Sequence, residues 1–192
     1  MRKSALVMVA VGAAFAVLLV SSCSEYNPAG VARAYRDAYN SHNISRIMAH
    51  LTDDAVLQMD GERFSGKDQL QEMARFDSVL NIELTFTDLR VKGNTVTFKA
   101  TERNDWLKLA GLQDHQYDPC SMTVQGDLIQ EIQVKSTPES MQQSQELFKK
   151  LAQWASKDHG QVLDELSKSE YNAESARAWL NLLTQWKAET AQ

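Results

Sequence analysis

Val96, Phe98, Ala100, Glu102, Asn104 and Trp106 stand two residues apart along one run of the chain. In a strand, residues so spaced share a face. The first three are apolar, so that face turns inward, and continued alternation carries Glu102 and Asn104 inward too. A carboxylate among apolar side chains is costly unless it is paired. Glu102 is therefore paired, released to solvent by a bulge, or part of a polar site. In the last case Glu102, Asn104 and Trp106 surround one opening. A few polar groups in an apolar cleft are the usual make-up of a small-molecule site. A carboxyl placed there can bind a ligand, or can move a proton as general acid or base.

Other chemically capable residues lack the spacing their chemistry needs. His42, His50, His115 and His159 show no metal-ligand pattern, and HExxH and Cys/His pairs are absent. These histidines read as surface or helix-end residues. No GxSxG, P-loop or GxGxxG occurs, and no cofactor or metal is implied. Cys120 reads as a small buried hydrophobe. Trp154, Trp179 and Trp186 read as packing anchors between helices. The formal charge of −5 argues against nucleic acid, which requires clustered Lys and Arg.

The other cysteine, Cys23, has a different setting. Arg2 and Lys3 precede an uncharged apolar and small-residue run from Ala5 to Val20, followed by Ser21, Ser22 and Cys23. A basic start, a short apolar middle and small residues before a cut site describe an export signal. The run is too short for an ordinary membrane span. Val20-Ser21-Ser22-Cys23 resembles a bacterial lipoprotein lipobox. The resemblance implies cleavage before Cys23, diacylglycerol on its sulfur, and acyl chains that hold the mature protein on a membrane. Ser24, rather than Asp, after the cysteine resembles an outer-membrane sorting signal. The expected location is a bacterial cell envelope, outer membrane before inner. Cleavage would remove Arg2 and Lys3 and no acid, leaving a more acidic body.

The remaining chain reads as one ordered body with an appendage. Residues 1–22 form the signal and 23–27 a short tether. Pro28 opens a helix in which Val31, Ala34, Tyr35, Ala38 and His42 recur at helical spacing. A second helix starts at Ile44 and ends at Thr52-Asp53-Asp54. Ala55–Met59 and Glu62–Phe64 read as a hairpin around Asp60-Gly61. Ser65 to Asp68 has capping-box spacing before a helix marked by Leu70, Met73, Ala74 and Phe76. Ile82 to Thr87 alternates as a half-buried strand. Thr95–Leu107 reads as the longest strand, Ala110–Pro119 as a polar loop, and Met122–Lys135 as a last hairpin. Thr137 and Pro138 then cap a region without strand signals, where three amphipathic stripes predict helices packed on the preceding domain or across its mouth.

This is an α+β order. Tyr39-Asn40, Thr52 to Val56, Phe64 to Lys67 and Gly126 to Ile132 together resemble a nuclear transport factor 2-like (SnoaL-like) domain over residues 28–137, with 138–192 a helical extension. The resemblance implies a cone, a bent antiparallel sheet over helices enclosing an apolar cavity. It also implies a range of isomerases, cyclases, epoxide hydrolases and non-catalytic binders, so fold alone names no reaction. Ketosteroid isomerases of this superfamily use a Tyr donor, an Asp base and a second acid. Along their pattern the Tyr falls on Tyr35, the base on Met59, which cannot accept a proton, and the second acid within Asp118 to Cys120. The expectation is a lipid-anchored protein that binds a small, mainly apolar molecule near Tyr35, Met59, Glu102, Asn104 and Trp106, without catalysis. The alternatives are a SnoaL-like isomerase or hydrolase, and a protein-interaction module docking through the C-terminal helices. No protein partner is identifiable.

Overall fold

The computed structural model describes residues 27–190. The signal segment, Cys23 and the tether before Asn27 lie outside the described residues. Helix α1 (Pro28–Asn40) begins as its sequence directs: Pro28 occupies the first turn, and the Asn27 side chain accepts from Gly30 N. Ala32, Tyr35 and Ala38 form its buried side. Helix α2 (Ile44–Ala49) is capped by Asn43 and buries Ile47.

Strand β1 (Leu51–Met59) starts earlier than its apolar residues suggest, because Thr52, Asp53 and Asp54 extend it rather than end a helix. Asp60 and Gly61 both take positive φ (50° and 95°), as a primed turn requires, and lead into β2 (Glu62–Ser65). The expected capping box before α3 (Lys67–Val79) does not form. Gly66, at φ 83°, is the N-cap and has no side chain to offer, while Gln69 Oε1 accepts from Ser65 N. Strands β3 (Glu83–Lys92) and β4 (Thr95–Arg103) follow as a hairpin.

Two departures matter for the site. Strand β4 stops at Arg103, and α4 (Asp105–Ala110) begins, with Asn104 as its N-cap and Gly111, left-handed, as its C-cap. The expected strand to Leu107 is thus a strand and a helix. The expected polar loop is largely the start of β5 (His115–Gln125), which pairs with β4 from Glu102↔His115 onward. Strand β6 (Leu128–Ser136) completes a six-stranded sheet in the order β2-β1-β6-β5-β4-β3. It is mixed rather than wholly antiparallel, since β1 and β6 run parallel. Register shifts in β1/β6, β3/β4, β4/β5 and β5/β6 mark irregularities that bend such sheets.

The main core lies between the sheet's inner face and helices α1 to α3, where Leu51, Val96, Met122 and Ile129 are fully buried. Beyond Ser136, Thr137 caps α5 (Pro138–Asp158), followed by α6 (Gly160–Ser167) and α7 (Ala173–Thr190). Leu151, Leu166 and Leu182 form a core of their own with Trp154, Trp179 and Trp186 packed against it. Helix α7 also lies against α3 and α4, where Ala176 joins Leu80 and Ile82 in a joint cluster. Truncating a large apolar side chain in such a core costs about 2–5 kcal/mol.

Candidate functional site

The inner face of the sheet and helices α1 and α3 enclose a cavity of about 230 Å³. Its walls are mainly Leu57, Met59, Phe86, Phe98, Met122 and Ile132. Strand alternation selects these residues. Along β4, Val96, Phe98 and Ala100 are buried and the intervening residues are not. Glu102 continues that face and lines the cavity.

Polar groups enter from two sides. On the helix side, Tyr35 and Tyr39 lie one turn apart on α1, with ring centroids 5.6 Å apart. The Tyr39 hydroxyl donates to Asp77 Oδ2 on α3. On the sheet side, the Tyr117 hydroxyl on β5 donates to Glu102 Oε2 at 2.8 Å, and Asn104 Nδ2 donates to Glu102 Oε1 at 2.6 Å. Tyr35 is 8% exposed, yet its hydroxyl has no hydrogen-bond partner among the described residues.

Burial is the main influence on these groups. It raises the Asp77 carboxyl to about 8; the Tyr39 hydrogen bond opposes the rise and the charge of Glu102 adds to it. Burial likewise holds the hydroxyls of Tyr35, Tyr39 and Tyr117 in their protonated form. The polar end thus holds three tyrosine donors and a carboxyl that retains its proton near neutrality. Such a set can hydrogen-bond a polar head, and Asp77 can give up or take a proton.

The five residues singled out in the sequence divide. Tyr35, Met59 and Glu102 line the cavity. Asn104 instead supports it from behind, capping α4 through Leu107 N at 2.6 Å while bonding Glu102. Trp106 lies on α4, where its ring is tilted against Phe148 of α5 and does not line the cavity. Their placement on one strand face fails because the period-two pattern ends at Arg103. Neither Asp118 nor Cys120 supplies a second acid in the cavity: Asp118 is exposed and paired with Lys99, and Cys120 is buried in the core, where burial pushes its thiol up to about 11.

Asp77, Tyr39 and Tyr117 were missed. Asp77 follows Leu70, Met73 and Ala74 at the i+7 position, so helical spacing sets an acid on the buried stripe of α3. Tyr39 lies four residues after Tyr35 on the same stripe. Tyr117 was hidden by reading its strand as a loop.

A second hydrogen-bond chain lies outside the cavity. Asp60 accepts from Ser136 N at 2.8 Å and Ser136 Oγ at 2.6 Å, and His115 Nε2 lies 2.7 Å from Ser136 Oγ. It ties the β1–β2 turn to the end of β6. His115 is accordingly half-buried in the sheet rather than a surface residue, and burial lowers its pKa. Among the described residues, no three His, Cys, Asp or Glu side chains converge as a metal site.

Comparison with known proteins agrees with this architecture. Among solved structures, the epoxide hydrolase/cyclase-like enzyme SalBIII, which has a role in pyran ring formation in the polyether salinomycin, has a TM-score of 0.53 at 12% identity over 59% of this chain and 92% of its own. An LEH-like epoxide hydrolase of M. tuberculosis has a TM-score of 0.50 at 17% identity over 59% and 85%. An NTF2-like protein of unknown function from Cytophaga hutchinsonii has 0.50 at 9% identity over 62% and 97%. These likenesses share the fold, a curved six-stranded sheet with helices, to which this chain adds α7 after the domain. No match is found among curated proteins. The family model described as a SnoaL-like domain matches residues 32–127, half of the chain, and the chain belongs to that family.

Proposed function

We propose that this protein holds a small, mainly apolar molecule in the cone, with the molecule's polar head against Tyr35, Asp77 and Glu102, and that Cys23 anchors the body by lipid to a bacterial envelope membrane. The observation that carries the binding reading is the Tyr35 hydroxyl. It belongs to a buried residue, lines the cavity and has no hydrogen-bond partner among the described residues. A hydroxyl that faces the cavity with no protein partner is free to hydrogen-bond a matching group on an occupant, a contact that typically contributes about 0.5–1.5 kcal/mol. Calorimetric titration with 1-naphthalenemethanol tests it. An engineered cavity of about 150 Å³ takes benzene, and the 230 Å³ here exceeds it, so an aromatic ring bearing a polar arm is a suitable probe. Binding is expected in the parent and lost in Met59→Trp, which fills the cavity. Equal binding by both proteins would place the probe elsewhere and defeat the reading.

A catalytic reading has one observation in its favour, the retained proton of Asp77. On that reading Asp77 donates to a carbonyl, ether or epoxide oxygen, and Asp77→Asn keeps binding while turnover falls by roughly 10²–10⁴-fold. The anchor rests on the sequence at Val20 to Cys23. Cys23→Ser is expected to move the protein from the membrane fraction to the soluble fraction, and unchanged fractionation would remove that part.

A further inference from the structure

The cavity has a second compartment at its mouth. Tyr171, in the turn between α6 and α7, lines both the inner cavity and an outer pocket whose other walls include Asp68, Glu72 and Glu170. Its ring packs edge-on against Phe64 and Phe76, at 5.6 and 5.1 Å, while 40% of the residue remains exposed. Tyr171 and Met73 are the residues common to both compartments, so they form the partition between them. The C-terminal extension, outside the family match, thus supplies part of the wall between the two pockets.

The charges along this route are of one sign. Neither compartment is lined by any Lys, Arg or His. In the outer pocket Glu72 is paired with Arg75, whereas Asp68 and Glu170 have no ion-pair partner among the described residues. In the inner cavity Asp77 and Glu102 also have none. Glu102, half-buried with hydrogen-bond donors but no counter-ion, favours an occupant that brings the positive charge. Tyr35, Tyr39 and Tyr117 add aromatic faces around the same end, and ring faces attract cations. The Tyr35 hydroxyl, lacking a partner, can accept from an ammonium N–H.

We propose that the cavity selects a small apolar organic cation, a protonated amine being the simplest, admitted through the acidic vestibule behind Tyr171 and held between Glu102, Asp77 and the tyrosines. This rests on the cavity-binding reading and names its ligand class. An anionic ligand of the same size meets carboxylates at the mouth and at the end of the cavity. A neutral one satisfies Tyr35 but leaves Glu102 without a counter-charge.

Three probes of one shape test this: 1-naphthylmethylamine, 1-naphthalenemethanol and 1-naphthoate, titrated calorimetrically into the full chain at pH 7. The amine should bind roughly tenfold or more tightly than the alcohol, within the range cation–π and charge contacts supply, and the carboxylate should not bind. Glu102→Gln should bring amine and alcohol to similar affinity, with the amine losing more than the alcohol. If that variant does not fold, Glu102→Met serves in the same comparison. Alcohol binding as tight as the amine's in the parent would overturn the cation proposal and leave the cavity reading standing. An amine preference untouched by removal of the Glu102 charge would assign it to surface acids and overturn the proposal too. If none of the three binds, the cavity reading fails and the proposal fails with it.

Discussion

Two tyrosine–carboxyl pairs face the same cavity, and their supports differ. Tyr39–Asp77 joins two helices, and among the described residues Tyr39 is the single side chain hydrogen-bonded to Asp77. Tyr117–Glu102 joins adjacent strands, and Glu102 receives a second donor, Asn104, that is itself fixed as the N-cap of α4. The chemical partners are the same. The number of donors and the rigidity of what holds them are not. A carboxyl with one donor in an apolar wall is governed by burial, and Asp77 accordingly keeps its proton to about pH 8. The comparison teaches that the helix pair is the proton-holding half of the site and the strand pair its braced half.

Asp77→Asn should break the comparison most strongly. The Asp77 carboxyl lies at about 8 in the folded protein against 3.8 ordinarily, so between those values the folded state binds a proton the unfolded state has released. Stability must therefore fall as pH rises from about 4 to 8, by up to a few kcal/mol, and the loss is absent below that window. Tyr39, Tyr35, Tyr117, Tyr171 and Glu102 are the titratable groups that interact with Asp77. Urea unfolding of the parent and Asp77→Asn at pH 4, 6 and 8 should show the variant gaining relative to the parent at each step. A difference constant in pH would show that Asp77 is not held in its protonated form.

Asn104→Ala should have an intermediate effect, about 1 kcal/mol, from loss of the helix cap. It also removes one donor from Glu102, so its cost in a Glu102→Gln background should be smaller, with a coupling of about 0.5 kcal/mol or more. Asn104→Ser keeps a cap and loses the donor, which separates the two roles. Strict additivity would mean that α4 does not brace the strand pair. The smallest change is expected from Tyr39→Phe. Its hydrogen bond lowers the Asp77 value, so removing it should raise that value further, read as an upward shift in a carbon-13 titration of the Asp77 carboxyl. A downward shift would contradict the assigned role of Tyr39.

The sequence was most legible where one local period ran unbroken. Alternation through Val96, Phe98 and Ala100 turned Glu102 inward, and Thr137-Pro138 marked the start of α5. It misled where the period changed without an apolar signal. Asn104-Asp105 before Leu107, with Gly111 behind, carries the cap residues of a short helix, a cue that competes with the strand alternation running on through Trp106. Asp77 escapes for the opposite reason: it stands on the apolar stripe of α3, and a single acid there gives no local sign that it faces inward. The parallel β1/β6 pairing is a contact between distant segments, and no local pattern encodes it.

That pairing has a consequence in time. Leu57 pairs with Ile132, so β1 waits about 75 residues for its central neighbour. Until β6 is made, the sheet exists as separate pieces, the β1–β2 hairpin and the β3–β5 meander, each with an apolar face and an open edge. Closing so long a loop is slow compared with forming either hairpin. A nascent chain made from its N-terminus therefore carries a half-open cone until Ser136 emerges, and the α5–α7 helices can seal it only afterwards. Chains arrested before β6 should be the species that aggregate or recruit chaperones, whereas chains arrested after it should already hold a closed sheet.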